Sequence, residues 1–225
     1  MPDVFSYEIV EAFGLPGCPL CRVAARDEER WMDTFWREGS LARELRRRFY
    51  AAGGFCRRHA WLFHRRVAAN AAAAVIADVY GNLADRDLER LAAAAAALSR
   101  GRRRGVAPAR AGRCPACVEA ERALERDAFF LAQALREEPV RQRYAASQGL
   151  CYAHLVPAVA AARALDAHTA HFLVRDFRGR LQRVRDGLTE YDRKRDYRRA
   201  GEPKGDEQRS WTDVIRLYVG EDVER

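Results

Sequence analysis

The sequence predicts an all-α fold, with two pseudo-repeated metal-stapled helical modules forming one helical bundle. Apolar residues recur at the three- to four-residue spacing of a single helix face in two long stretches. β-branched residues are sparse, and no run alternates between apolar and polar over the length of a strand. The two apolar stripes are Leu124, Ala128, Leu131 and Leu135, then Phe177, Leu181, Val184, Leu188 and Tyr191.

Two further helices are expected in the first half of the chain. A helix from Arg22 to Arg37 has aromatic residues at the i, i+4 positions Trp31 and Phe35. A shorter helix from Leu41 to Tyr50 follows, with Ser40 at the position of an N-cap. The pair predicts a helix that runs outward and a shorter helix that returns.

Composition places the chain among soluble globular proteins. Of its 225 residues 48% are hydrophobic and 32% are charged, which excludes a disordered chain. The formal net charge is +8, and nearly all the basic residues are arginine. Such a charge is compatible with binding to nucleic acid, but a solvated arginine-rich surface is the favoured interpretation.

The six cysteines bear on both the compartment and the chemistry. No basic segment precedes an apolar core at the N-terminus, and no apolar run reaches the ~18 residues of a membrane span, so we expect a cytoplasmic protein. In a reducing compartment cysteines act more often as metal ligands or redox groups than as disulfides. Each half of the chain holds three cysteines, an odd number that disulfides within a half cannot satisfy.

The chain contains an internal duplication. An offset of 96 residues places Cys18 on Cys114, and an offset of 95 residues places His59 on His154. A glycine precedes the third cysteine by two residues in both halves. Agreement of ligand types, glycines and neighbouring aromatic positions indicates two copies of one unit.

Each copy supplies a CPxC pair and a distant CxxH pair, and these pairs are the candidate metal ligands. Two cysteines separated by two residues can both reach one ion, and the proline stiffens the intervening turn. We expect each copy to form its own site, with the ion closing a helical hairpin. The expected ligands are Cys18, Cys21, Cys56 and His59 in the first copy, and Cys114, Cys117, Cys151 and His154 in the second.

Zinc is the favoured metal, with one ion in each site. Three cysteines and one histidine are a typical ligand set of structural zinc, and four protein ligands leave no open position for a substrate. An iron–sulfur cluster held by the same residues is the alternative, followed by redox-active CPxC thiols. Covalent haem is disfavoured, because Arg22 and Val118 stand where histidine would be required.

Linker and tail composition completes the expected organisation. The segment 99–113 holds six arginines, three glycines and a proline without apolar periodicity, which is typical of a flexible linker. Near the end of the chain, Ser210 to Asp213 has a capping pattern and opens a Trp-bearing helix that we expect to dock on the body. The expected segments are a first CPxC…CxxH helical module (1–98), a basic flexible linker (99–113), a second CPxC…CxxH helical module (114–189), and a charged strap with a short docking helix (190–225).

The chain resembles an uncharacterised bacterial family with duplicated CPxC…GxCxxH motifs and a C-terminal Trp helix. The motifs that match are Cys18–Cys21 with Gly54–His59, Cys114–Cys117 with Gly149–His154, and the tail from Ser210 to Gly220. The resemblance spans nearly the whole chain and supports the architecture. The family has no assigned activity, so it implies nothing about a reaction.

Together these patterns predict a cytoplasmic metal-binding helical protein that acts as a binding or adaptor module. Its two zinc ions would be structural, and we expect no catalysis at the metal. A protein is the favoured partner, and nucleic acid is the weaker one. An iron–sulfur or thiol redox protein, for electron transfer or oxidant sensing, is the alternative function.

Overall fold

The computed structural model describes residues 4–38, 43–100, 112–199 and 201–221, and across these ranges the chain is helical without strands. The all-α prediction is therefore confirmed. The α-helices are α1 (Val4–Ala12), α2 (Pro19–Glu38), α3 (Arg43–Ala51), α4 (Arg57–Ala69), α5 (Ala73–Ser99), α6 (Pro115–Ala134), α7 (Glu138–Ala146), α8 (Tyr152–Leu165), α9 (Ala167–Lys194) and α10 (Ser210–Val219).

The outward and returning helices of the first half are present with shifted ends. The outward helix α2 begins at Pro19, three residues before the predicted start, since proline suits the first helical position. The returning helix α3 begins at Arg43. The expected cap Ser40 lies outside the described residues, as do residues 101–111 of the expected linker.

The chain divides into two compact units. Unit 1 comprises Met1–Ala25 and Ala123–Arg225, and unit 2 comprises Arg26–Arg122. The unit boundaries fall within α2 and α6. Neither unit coincides with one copy of the repeat, because each unit contains residues from both copies.

Unit 1 has a core of aliphatic residues around one tyrosine. The predicted stripe of α6 lies in this core, with Leu131 and Leu135 fully buried beside Leu173 of α9. Tyr144 of α7 is also fully buried, and its hydroxyl accepts a hydrogen bond from the backbone N–H of Leu150. α8 packs along α9, and α10 packs against both. This core fixes the loop that precedes α8.

Unit 2 has an aromatic core. Phe35 of α2 contacts Phe55 and Phe63 with ring centroids 4.9 and 5.4 Å apart, in edge-to-face geometry. Phe49 of α3 lies 5.0 Å from Phe55. Edge-to-face packing of this kind adds about 0.5 to 1.5 kcal/mol per pair beyond the area buried. Phe55 directly precedes Cys56, so the core holds the start of α4 in place.

The C-terminal helix α10 packs against α8 and α9. Arg209 occupies the N-cap, no side chain caps the helix, and Ser210 is buried against Gly187 of α9. Leu217 enters the core of unit 1, whereas Trp211 is 56% exposed. The tryptophan is therefore not the anchor of this helix.

The charged segment after α9 is held to that helix by an ion pair. Lys194, the last residue of α9, pairs with Glu207 at 3.0 Å, so the expected strap is tied to the helix before it. Within the described ranges, no helix combines the length and apolarity needed to cross a bilayer.

Candidate metal centres

The eight predicted ligands lie in two clusters of four. Site A consists of Cys18, Cys21, Cys151 and His154, and site B of Cys56, His59, Cys114 and Cys117. In each cluster the ligand atoms all lie within 4.8 Å of one another. Site A belongs to unit 1 and site B to unit 2. Both clusters could hold a metal ion.

The pairing of the ligands differs from the prediction. The CPxC pair of each copy meets the CxxH pair of the other copy, so the expected sets Cys18, Cys21, Cys56, His59 and Cys114, Cys117, Cys151, His154 are wrong as sets. The eight residues themselves are unchanged. Each cluster thus joins parts of the chain more than 50 residues apart, and the hairpin of one copy is not closed by its own ligands.

Helix lengths and core packing explain why the CPxC pair of one copy meets the CxxH pair of the other. α2 has 20 residues and runs about 30 Å at 1.5 Å per residue, whereas the nine residues of α3 return only about 13 Å. The first turn of α2 contributes Leu20 to the core of unit 1, and Phe35 near its end belongs to the core of unit 2. The CxxH pair that follows α3 therefore belongs to unit 2, whereas the CPxC pair of its own copy belongs to unit 1.

Every ligand pair lies at the start of a helix. Cys56 and Cys151 are the N-cap residues of α4 and α8, with extended backbone at ψ 166° and 163°. The carbonyl groups of Cys18 and Cys114 accept the first hydrogen bonds of α2 and α6. Two helix N-termini therefore meet at each site, and their positive ends favour thiolate over thiol.

The distances within site A are short and similar. The Sγ atoms of Cys18, Cys21 and Cys151 lie 3.4, 3.3 and 3.4 Å from Nδ1 of His154. The Sγ atoms of Cys21 and Cys151 are 3.8 Å apart. All three sulfurs therefore face one ring nitrogen, as ligands of a common ion do.

Site B repeats this arrangement. The Sγ atoms of Cys56, Cys114 and Cys117 lie 3.2, 3.6 and 3.3 Å from Nδ1 of His59. The Sγ atoms of Cys56 and Cys117 are 3.7 Å apart. The two sites thus share ligand types, ring nitrogen and spacing, as expected of a duplication.

A model of DUF6062, described as a family of unknown function, matches residues 3–224. The chain belongs to the DUF6062 family. The match spans nearly the whole chain, and the resemblance to an uncharacterised family is confirmed. Comparison with curated proteins and with solved structures finds no match.

Site A of this DUF6062 chain is covered by the end of α10, a feature that sequence reasoning missed. Gly220 follows the helix with φ +86°, and a Cβ added there would collide with Sγ of Cys21. The backbone of the C-terminal segment therefore lies directly against the ligand sulfurs. A glycine just after a helix is a signal for such a turn, but not for contact with a metal site.

An arginine on α9 supports the loop that leads to Cys151. Arg180 donates to the carbonyl oxygen of Ser147 at 2.8 Å and pairs with Asp176 at 2.6 Å. Its guanidinium lies over Gly149, whose φ is +72°, and leaves no space there for a side chain. Glycine is required at this position on both grounds.

A cavity of about 560 Å³ borders site A between the loop 147–151, α9 and α10. Cys18 and Cys151 form part of its wall, together with Arg183 and Glu221. These two cysteines are only 5% and 1% exposed. The cavity therefore touches the cluster without opening it to solvent.

Site B has a partly buried carboxylate beside its histidine, which sequence reasoning also missed. Oε1 of Glu28 lies 3.7 Å from Nε2 of His59, a buried nitrogen without a hydrogen bond among the described residues. Arg58 donates to both oxygens of Glu28 at 3.0 and 2.5 Å. Burial raises the pKa of Glu28, but His59 and Arg58 outweigh it and leave the pKa below its usual value. A carboxylate behind the distal nitrogen is a common partner of a metal-bound histidine and orients the ring.

The protein environment favours deprotonated sulfur at one cysteine of each site, whereas burial and the neighbouring cysteines raise the pKa of Cys18 and Cys117. Burial opposes ionisation of Cys114, but hydrogen bonds from His59 and from the backbone lower its pKa to about 6. In site A, hydrogen bonds from Cys18 and Cys21 lower the pKa of Cys151. Thiolate is the form that binds metals, so each site of the DUF6062 chain holds one cysteine whose pKa favours the binding form.

Proposed function

We propose that the protein binds two structural zinc ions, one in site A and one in site B. The spacing of the ligand atoms carries this proposal. A single ion at about 2.3 Å from sulfur and about 2.0 Å from nitrogen, held tetrahedrally, places sulfurs about 3.8 Å apart and sulfur about 3.5 Å from nitrogen. The sulfurs of Cys21 and Cys151 are 3.8 Å apart in site A, and those of Cys56 and Cys117 are 3.7 Å apart in site B. The sulfur–nitrogen distances range from 3.2 to 3.6 Å.

The same spacing favours one ion over an iron–sulfur cluster. A cluster distributes its protein ligands over two or four irons, which keeps ligands on different irons further apart than ligands of one ion. Here the three sulfurs of each site all lie within 3.6 Å of one nitrogen. This arrangement supports zinc as the metal of both sites.

A structural role follows from the ligand count and from where the ligands lie. Four protein ligands fill a tetrahedral zinc site and leave no position for a substrate. Site A joins the start of α2 to the start of α8, 130 residues further along the chain. Site B joins α4 to α6 in the same way. The binding energy of each ion is therefore folding energy of its unit.

We assign the protein to the cytoplasm and to the class of binding or adaptor proteins. All six cysteines are free and belong to the two clusters, which suits a reducing compartment. Since the metals have no open position, function resides on the protein surface. A protein partner is favoured over nucleic acid, because the exposed side chains include many large apolar ones.

The deciding experiment is metal analysis of protein purified without oxygen. We expect a colourless protein with two zinc ions per chain. A brown protein that absorbs near about 400 nm and contains iron and sulfide would overturn the proposal.

Two variants test whether the sites are structural. Cys56→Ser should remove the ion of site B, and Cys151→Ser that of site A, each with a lower melting temperature. His168→Gln, which changes a histidine outside both clusters, should keep both ions. A Cys56→Ser protein that loses its ion but melts like the wild type would show that site B is not structural.

A further inference from the structure

Helix α10 has two apolar faces. One face carries Leu217, which is 8% exposed and packs in the core of unit 1. The other faces solvent and carries Trp211, Ile215 and Tyr218, at spacings of four and three residues, with exposures of 56, 57 and 48%. A ten-residue helix needs only the first face to hold it in place. Much of the second face remains exposed to solvent.

The exposed face of α10 continues onto α8. The ring of Tyr218 lies 5.9 Å from that of Tyr152, which is half exposed at the start of α8. Val156 is one turn further along and is 58% exposed. We define the α10 face as Trp211, Ile215, Tyr218, Val219, Tyr152 and Val156.

The size and composition of the α10 face are those of a protein interface. Six large apolar side chains about half exposed present on the order of 600 Å² of surface, at the upper end for a patch on a monomer. The face contains three aromatic residues and no charged one. Aromatic enrichment with depletion of charge distinguishes the centre of an interface from ordinary surface.

We propose that the α10 face binds the same face of a second copy of this chain, with the two α10 helices antiparallel about a two-fold axis. Such an interface requires a surface that is complementary to itself. Ile215 lies midway between Trp211 and Val219, four residues from each. Antiparallel pairing therefore places Ile215 on its own counterpart, and the large indole of Trp211 beside the smaller Val219 of the partner subunit.

The buried area fits a reversible dimer. A contribution of on the order of 600 Å² from each copy gives about 1,200 Å² in total, the lower limit of a specific interface. An interface at this lower limit is typical of weak, reversible association. The proposal does not depend on the identity of the metal, because it uses none of the ligands.

The test is the mass of the zinc-loaded full-length chain in solution, measured by sedimentation equilibrium between about 1 and 200 µM. The wild-type protein should convert from monomer to dimer within this range. Ile215→Arg places a charge against its own counterpart on the axis, so this variant should remain monomeric throughout. Leu91→Arg, at a leucine of α5 that is also 56% exposed, is the matched control and should dimerise like the wild type.

A second variant guards against misfolding of α10. Val156→Glu lies on α8 and leaves α10 unchanged, yet it should also abolish or strongly weaken the dimer. Circular dichroism and zinc content identify the folded variants. A wild-type chain that stays monomeric at the highest concentration would overturn the proposal, as would dimers of unchanged strength in both face variants. In the case of a monomeric wild type, the α10 face would remain available to a different protein.

Discussion

Sγ of Cys21 lies 3.8 Å from Sγ of Cys151, although 130 residues separate them along the chain. The corresponding contact in the other site joins Cys56 to Cys117 at 3.7 Å. These two contacts define the crossed pairing of the repeat.

Mild oxidation of the folded, metal-loaded protein, which expels the metal as the sulfurs join, should record the crossed pairing. We expect disulfides between Cys21 and Cys151 and between Cys56 and Cys117, because these sulfurs are already close and belong to separate segments. Peptide mapping by mass spectrometry identifies the links. A link between Cys21 and Cys56 would contradict the crossed arrangement and restore pairing within a copy.

Substitution of Gly220 should destabilise unit 1 and weaken site A. Its backbone, at φ +86° and ψ −174°, belongs to a region that only glycine adopts readily, and an added Cβ collides with Cys21. We expect Gly220→Ala to lower the free energy of unfolding by about 2 to 3 kcal/mol and to release zinc from site A more readily. Urea unfolding and a chelator titration measure the two effects.

Gly81 offers the control for this substitution. It lies within α5 and has nothing within 4 Å of an added Cβ. Gly81→Ala should therefore stabilise the protein by about 0.5 to 1 kcal/mol, since alanine is the better helix former. Equal effects of the two glycine substitutions would mean that contact with Cys21 is unimportant.

Removal of the carboxylate behind His59 should weaken site B. We expect Glu28→Gln to reduce zinc affinity at site B by about 10- to 100-fold, because the ring loses the charge that orients it. Competition with a chelator of known affinity measures the change. Glu29→Gln, which changes a neighbouring exposed carboxylate paired with Arg66, should leave the affinity unaltered.

Arg58→Gln separates this effect from the loss of an ion pair. It removes the salt bridge to Glu28 but keeps the carboxylate facing His59. Its affinity should fall less than that of Glu28→Gln. A larger loss would indicate that the salt bridge, rather than the carboxylate, supports the site.

The two sites should release zinc at different rates. All three cysteines of site B are partly exposed, whereas Cys18 and Cys151 of site A are buried. We expect release to a coloured chelator in two phases, with site B first. Cys56→Ser should abolish the fast phase and keep the slow one. If the slow phase disappears instead, the order of accessibility is the reverse.

The sequence was sufficient to select the eight residues that form the two clusters, but not to assign them to the correct cluster. A Cys-x-x-Cys or Cys-x-x-His pair is formed within one helical turn, so its spacing is visible in the chain itself. The choice of partner pair depends on which core holds each helix end. Leu20 and Phe35 lie on the same helix and enter different cores, and no local pattern reports that.

The residues that surround the two sites could not be predicted from the sequence for a related reason. Glu28 lies ten residues after Cys18 and belongs to the first copy, yet it stands behind a ligand of site B. At the matching position, 96 residues later, the second copy has Leu124, which packs at the core of unit 1. The duplication therefore predicts ligands but not the surroundings in which the two sites differ. The exposed Trp211 shows the same limit, since its helix packs through Leu217.

The crossed pairing also constrains how such a protein can arise. One copy of the repeat contains a half of each site and no complete site, so a protein with a single copy could surround an ion only by exchanging ends with a second molecule. Fusion of two such genes would turn contacts between the subunits of an ancestral homodimer into contacts within one chain. On this view the present fold corresponds to such a dimer within one polypeptide, and loss of either half of the gene would remove two of the four residues from both clusters.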